Sequence, residues 1–310
     1  MKIAIIGSGG VGGYHACALV DAGAEVHLLS TERHVSAIAR DGLVLRTDGG
    51  ERAYRPTSVS TGGEGVGVCD LVLITVKLAA LDAALEAARP LVGPGTLVVT
   101  LENGVVAPDR AAALFGAERV VPGVAFIVAY VEGPGVVRQV GSRPRLVLGS
   151  HPLGAKGRDP RMEAAAALLD SPAVRCVLDE DVAHLLWVKF ALICTMGGVN
   201  ILANATTGEV MTSAGTRALV RESLEEVRAV AAAHGVRLAD ADIDADFAQL
   251  ERLAPSSTTS LQRDLREGRE SELEFLNGDL VARAESAGID VPVNRIALAV
   301  ARLHAERRHV

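Results

Sequence analysis

A chain of 310 residues is longer than a single hydrophobic core usually supports, so two domains are expected. Its 49% hydrophobic and 22% charged residues match a soluble globular protein. A net charge of −7, no basic block, and only one Trp, three Tyr and five Phe argue against a nucleic-acid partner.

Cys17, Cys69, Cys176 and Cys194 are widely spaced, contain no C-x-x-C pair and sit among apolar neighbours. They read as buried free thiols rather than disulfides or metal ligands. The opening "MKIAIIG" is too short an apolar run for a signal peptide and leads into a glycine-rich turn. No stretch reaches the roughly 18 unbroken apolar residues that a membrane span requires. The expectation is a cytoplasmic protein with no membrane partner.

In chain order, residues 2–7 read as a strand, 11–23 as a helix ending at Gly23, and 24–30 as a second strand. Residues 43–59 suggest an antiparallel excursion about the turn Asp48-Gly49-Gly50. Further buried strands are expected at 69–77, 95–104 and 119–126, with a helix near 79–89 between the first two. Strands alternating with helices at this spacing predict a largely parallel sheet covered by helices on both faces. Residues 136–150 read as a closing hairpin, 149–160 as a polar loop rich in Gly and Pro, 161–170 as a helix and 173–178 as a strand.

Beyond about residue 180 the pattern turns helical, at 181–203, 208–234, 240–253, within 257–287 and at 293–307, punctuated by Gly235, Gly288 and Pro292. The expected fold is α/β: a Rossmann-type dinucleotide-binding domain over 1–178, then an all-α substrate and catalytic domain over 179–310. The apolar helical half could support a homodimer.

"GSGGVG" at 7–12 fits G-x-G-x-x-G and lies between a strand and a helix, with a second strand following at residue 24. Gly7 would allow the tight turn, Gly9 the backbone approach to a pyrophosphate, and Gly12 close packing of helix on strand. The helix N-terminus presents unpaired N–H groups and a positive dipole end to phosphate. Gly7, Ser8, Gly9, Gly10, Val11 and Gly12 are therefore candidate cofactor contacts. An NAD site would carry Asp or Glu at the end of the second strand, whereas this chain has Ser30-Thr31-Glu32-Arg33. Ser30, Thr31 and Arg33 suit a 2′-phosphate, which favours NADP; Glu32 would oppose it if turned inward.

Four features occur together: the glycine turn, "ENG" at 102–104 closing a strand, "WVKF" at 187–190 opening a helix, and "SLQRDLREGRESELEFLNG" at 260–278. In order and spacing they resemble the 2-dehydropantoate (ketopantoate) 2-reductases, with "GPGVV" at 133–137 and "AGIDVPVN" at 287–294 fitting the same pattern. The resemblance implies NADPH-dependent reduction of a 2-oxo acid in a cleft between two domains, most directly 2-dehydropantoate to pantoate in pantothenate biosynthesis.

Position by position, the resemblance makes Lys189 the proton donor and Glu272 the acid that hydrogen-bonds the substrate hydroxyl. Ser260 becomes the carboxylate-binding serine, Asn103 the asparagine beside nicotinamide and substrate, and Lys77 a lysine near the cofactor. A hydride arriving at a carbonyl carbon leaves charge on oxygen, and a positioned ammonium stabilises and protonates it. Alternative roles remain open: a helix cap for Ser260, a turn residue for Asn103, an exposed helix face for Glu272 and a plain strand-end lysine for Lys77. One unbroken helix from Ser260 to Glu272 would hold them about 18 Å apart, so a break is expected at Gly268.

The chain also departs from the pattern. Positions four and eight after Lys189, which share its helix face, hold asparagines in pantoate-forming members; here they are Ile193 and Gly197. A third family asparagine stands as Thr207, and Gln139 takes the place of a common histidine. Ile193 and Gly197, candidate substrate-wall residues, would make that wall more apolar and roomier, and Asn200 and Asn204 follow in the sequence. Two further readings remain: a same-fold reductase of a larger, more apolar 2-oxo acid or ketone in secondary metabolism, and a non-catalytic NADP-binding sensor. Joint retention of Lys189, Glu272, Ser260 and Asn103 argues against the sensor.

Overall fold

The computed structural model describes residues 1–154, 157 and 159–306, which fall into two compact units, Met1–Ala183 and His184–Val310. Residues 155, 156 and 158 of the expected polar loop, and residue 307 of the expected last helix, lie outside the described residues.

In the first unit, β1 (Lys2–Ile6), α1 (Gly10–Asp21) and β2 (Glu25–Leu29) form the opening parallel unit, and α2 (Glu32–Asp41) follows. β3 (Leu43–Thr47) and β4 (Gly50–Tyr54) pair antiparallel, after which β5 (Ser58–Ser60) runs parallel to β2. β6 (Leu71–Ile74), α3 (Leu81–Ala88), β7 (Leu97–Thr100) and α4 (Ala107–Phe115) continue the alternation. β8 (Val120–Gly133) and β9 (Val136–Leu148) form a long antiparallel hairpin, and α5 (Pro160–Leu169) leads to β10 (Arg175–Leu178), which pairs with β9.

The strand order is β4-β3-β9-β8-β7-β6-β1-β2-β5, with β10 beside β9. β1 is flanked in parallel by β2 on one side and β6 on the other, so the direction of winding reverses there. Such a switch point opens a crevice beyond the carboxyl ends of the strands, where this fold class binds ligands. Ile3, Ala4 and Ile5 of β1 have no exposed surface, which explains why the strand reads as an unbroken apolar run.

The expected excursion over 43–59 is only partly antiparallel. Thr57 Oγ1 accepts from the Val26 N–H, and Ser58 Oγ hydrogen-bonds His27 Nδ1, so polar side chains carry β5 across to β2. Helices α2 and α4 do not appear among the sequence expectations. α2 buries only Ala37 and Ile38, which makes too thin an apolar stripe to stand out, whereas α4 starts with Pro108 and Asp109 in its first turn.

The second unit is helical. It takes most of α6 (Val182–Leu202), then α7 (Thr207–Thr212), α8 (Ala214–Ala233), α9 (Asp240–Glu251) and α10 (Ser260–Arg266). A π-helical turn at Glu274–Gly278 leads into α11 (Asp279–Ser286), and α12 (Pro292–Glu306) closes the unit. The single helix expected over 208–234 is two, because α7 stops at Thr212 and α8 starts afresh after Ser213.

Among the described residues α6 alone is long and apolar enough to cross a bilayer by length and composition. Phe190, Ala191, Cys194 and Thr195 on it have no exposed surface, as in a central core helix. A buried polar chain fixes its neighbours. Thr195 Oγ1 hydrogen-bonds Ser223 Oγ, Ser223 meets Asn294, and Glu226 accepts from the N–H groups of Val293 and Asn294 at the start of α12.

Gly12→Ala is expected to destabilise the protein by about 3 kcal/mol or more, because its Cβ would lie 2.0 Å from the Gly7 carbonyl oxygen. Gly23→Ala, with nothing within 4 Å but φ at +75°, should cost only about 1–2 kcal/mol. Urea denaturation of both variants checks the ranking.

Candidate active site

At the carboxyl end of β1 the chain turns through Gly7, whose φ of +106° lies in the left-handed region. Its N–H donates to Leu29 O at 2.8 Å, tying the turn to β2. A Cβ at Gly12 would sit 2.2 Å from Thr75 Oγ1, and one at Gly10 would sit 2.3 Å from Ala129 O of β8. Gly9 differs: the nearest atom to a Cβ there is 3.9 Å away, so that position is open.

No side chain caps the first turn of α1 and no acidic residue stands in it. Its N–H groups, including that of the half-buried Val11, and its positive end are therefore left for an external anion. Ser8 and Ser30 hydrogen-bond through their hydroxyls at 2.5 Å, joining the ends of β1 and β2. Thr31 and Arg33 are exposed at the start of α2, and Arg33 has no ion-pair partner among the described residues. Glu32 accepts from Ser36 Oγ at 3.3 Å, so its carboxylate lies along its own helix.

Lys77 is exposed just past β6, and Asn103 lies past β7 beside Gly104, whose φ is +92°. Two residues that the sequence reading does not single out brace these loops. Thr75 Oγ1 reaches both Ile6 O at 3.0 Å and Gly7 O at 2.9 Å. Glu102 is buried, and its Oε1 accepts from the Val76 N–H at 3.1 Å, linking the ends of β6 and β7. An acidic residue closing the apolar run "LVVTLENG" is the signal that could have found Glu102. Gln139 is buried in β9, where its Nε2 donates to the carbonyls of Val140 and Ser142.

In the second unit Lys189 lies on α6 with a minor part of its surface exposed. Burial pushes its pKa down to about 8, against the opposing pull of the Glu272 carboxylate, which raises it. Ile193 is half-buried one turn on, and Gly197 is buried. A Cβ at Gly197 would lie 3.0 Å from Leu261 Cδ2 and 3.5 Å from Asn277 Oδ1. The room that this glycine leaves is therefore occupied by α10 and the π-helical turn, and it does not widen a wall.

Asn200 and Asn204 are engaged elsewhere. Asn200 Nδ2 donates to Thr207 Oγ1 at 2.9 Å, joining α6 to α7, while Asn204 is an exposed turn residue with φ at +48°.

The break expected at Gly268 is present. α10 stops at Arg266, Gly268 has φ at +67°, and its N–H meets Leu265 O while that of Arg269 meets Asp264 O. This bonding pair is a Schellman cap, and no straight helix carries Ser260 away from Glu272. Thr259 Oγ1 accepts from the Gln262 N–H as the cap of α10, so the exposed Ser260 hydroxyl is not the cap.

The sequence profile described as ketopantoate reductase PanE/ApbA matches residues 3–152, and its C-terminal counterpart matches 181–305. The chain is 33% identical to the 2-dehydropantoate 2-reductase of Caulobacter vibrioides, with 96% of this chain and 97% of that one covered. It is 29% identical to the 2-dehydropantoate 2-reductase of Mesorhizobium japonicum, with 99% of each covered. Among solved structures it is similar to a PanE/ApbA family ketopantoate reductase from Ralstonia eutropha, with a TM-score of 0.89, 32% identity and 100% of both chains covered.

Lys189 should titrate near pH 8, and Glu272→Gln should move that titration lower, because it removes the charge that favours the ammonium form. NMR of isotopically labelled lysine across pH 6 to 11 reads both, and an unshifted value in the variant would refute the coupling.

Proposed function

Because the chain belongs to the ketopantoate reductase family, we propose that it reduces 2-dehydropantoate to pantoate with NADPH, in the cytoplasm. The observation that carries this reading is Lys189, an ammonium brought close to neutral pKa by burial and acted on by the Glu272 carboxylate. A donor whose pKa lies near the working pH is suited to protonating an alkoxide as it forms.

The first unit fits a dinucleotide. Gly9 is open where a pyrophosphate would approach, the start of α1 is uncapped, and Ser8 and Ser30 line up across the strand ends. Thr31 and the exposed Arg33 are the groups for a 2′-phosphate, and the turned-away Glu32 removes the objection to it. When bound, NADPH supplies the hydride to the carbonyl carbon of the 2-oxo acid.

This chain's residues do the rest. Gly7, Gly10, Val11 and Gly12 set the backbone against the phosphates, and Lys77 and Asn103 stand on the two neighbouring strand ends. Lys189 Nζ stabilises the negative charge growing on the C2 oxygen and donates its proton there. Glu272 accepts a hydrogen bond from the substrate hydroxyl, and the Ser260 hydroxyl donates to the carboxylate. Ile193 supplies apolar surface on the face of Lys189, and Gly197 backs that face through Leu261. Because Leu261 fills the space at Gly197, that glycine adds no room for a larger substrate.

NADPH oxidation with 2-dehydropantoate should proceed with a kcat that falls as pH rises through about 8, where Lys189 loses the proton it must give. Lys189→Ala should lower kcat by about 10²- to 10⁴-fold. Against a panel of 2-oxo acids, a clear preference for a larger apolar one would overturn the assignment, and turnover indifferent to Lys189→Ala would overturn the mechanism. Arg33→Glu should raise the KM for NADPH by about tenfold or more, through loss of a charge-assisted phosphate pair, and leave that for NADH little changed.

A further inference from the structure

Gly197 and Gly198 stand together in the interior of α6, where each glycine costs about 1 kcal/mol relative to alanine. Both face Asn277. A Cβ at Gly198 would lie 3.1 Å from Asn277 Nδ2 and 3.2 Å from Ala297 Cβ, and one at Gly197 would lie 3.5 Å from Asn277 Oδ1. The pair lets a carboxamide reach the helix backbone, where Asn277 Nδ2 donates to Cys194 O at 2.9 Å.

Asn277 has no exposed surface, and its Oδ1 has no hydrogen-bond partner among the described residues. Burying such an acceptor unsatisfied costs about 1–3 kcal/mol, so stability alone does not account for the residue. It lies in the π-helical turn, a local conformation that often marks functional positions.

Backbone bonds make that turn one piece with Glu272. The N–H groups of Phe275 and Leu276 both donate to Glu272 O, at 3.1 and 3.0 Å, and that of Gly278 donates to Leu273 O at 3.0 Å. The turn is thus pinned to α6 at Cys194, five residues beyond Lys189. The other charges nearby are paired elsewhere: Glu274 with Arg302 at 2.6 Å and Asp279 with Arg283 at 2.7 Å. Burial, then the Asp279 charge, push the Cys194 thiol well above its usual range, so it stays neutral. Glu272 is the charged group that acts on Lys189.

We propose that Asn277 is a positioning residue for proton transfer, fixing where the Glu272 carboxylate sits relative to Lys189 by pinning the π-helical turn to the Cys194 carbonyl. This inference rests on the reading of Lys189 as proton donor. Asn277 touches neither substrate nor cofactor in it and acts through Glu272 alone.

The test is the pH dependence of kcat for NADPH oxidation in Asn277→Ala and Gly198→Ala, each with and without Glu272→Gln. Gly198→Ala keeps the carboxamide but crowds it from 3.1 Å while favouring helix formation, so it guards against a defect that comes only from losing the side chain. Each single variant should lose about tenfold in kcat and begin its alkaline fall at lower pH, because Lys189 loses part of the carboxylate's support. Added to Glu272→Gln, neither should cost anything further, since the group through which it acts is already gone. An alkaline fall at the wild-type pH in both variants, or losses that multiply with that of Glu272→Gln, would overturn the proposal. Wild-type turnover by Lys189→Ala would instead remove the proton-donor reading itself, and this inference with it.

Discussion

The first unit depends on one close approach, the start of α1 against the end of β1. Only a hydrogen on the Cα of Gly12 allows it, since a methyl group would meet the Gly7 carbonyl and the Thr75 hydroxyl at once. Given that approach, Gly7 can take its left-handed turn, Thr75 can bond the carbonyls of Ile6 and Gly7, and β6 is drawn in beside β1. Glu102 extends the same bracing to β7 through the Val76 N–H. The uncapped helix end is thereby presented at the switch point of the sheet, where its dipole and free N–H groups can hold an anion.

The second unit uses glycine in the same way for a different purpose. Gly197 and Gly198 thin one face of α6 so that Leu261 and Asn277 can press against it. The helix gives up intrinsic propensity there and gains contact with α10 and with the π-helical turn that follows Gly268. Lys189 lies two turns earlier on the same helix, where burial and the Glu272 carboxylate act on it in opposite directions. The balance between those two influences sets its acidity.

Much of this was legible in the residues themselves. The glycine turn was readable because a strand precedes it and a helix follows, and the break at Gly268 because one straight helix would have carried Ser260 and Glu272 too far apart. Other features were not. α2 offers too few apolar positions to show a period, and β5 leaves the hairpin for β2 through hydroxyls whose partners are distant in sequence. Thr75 looks ordinary in a strand-end run and Glu102 stands out there only as an acid, and strand pairing alone reveals what they bridge. Gly197 read as added room, but the helix that fills that room lies more than sixty residues further along the chain.

By itself the sequence determined the class of fold, the glycine turn between β1 and α1, and the resemblance that points to the family, and it singled out Lys189 as the charge within an apolar helix. The fold class and the turn rest on local spacing, strand, turn and helix in succession, whereas the family rests on four motifs in order along the chain. Tertiary structure alone decided how acidic that lysine is, which carboxylate acts on it, where Asn200 and Asn277 spend their hydrogen bonds, and what occupies the space beside Gly197. Those outcomes depend on burial and on pairs of groups far apart in the chain, and neither exists until the helices pack.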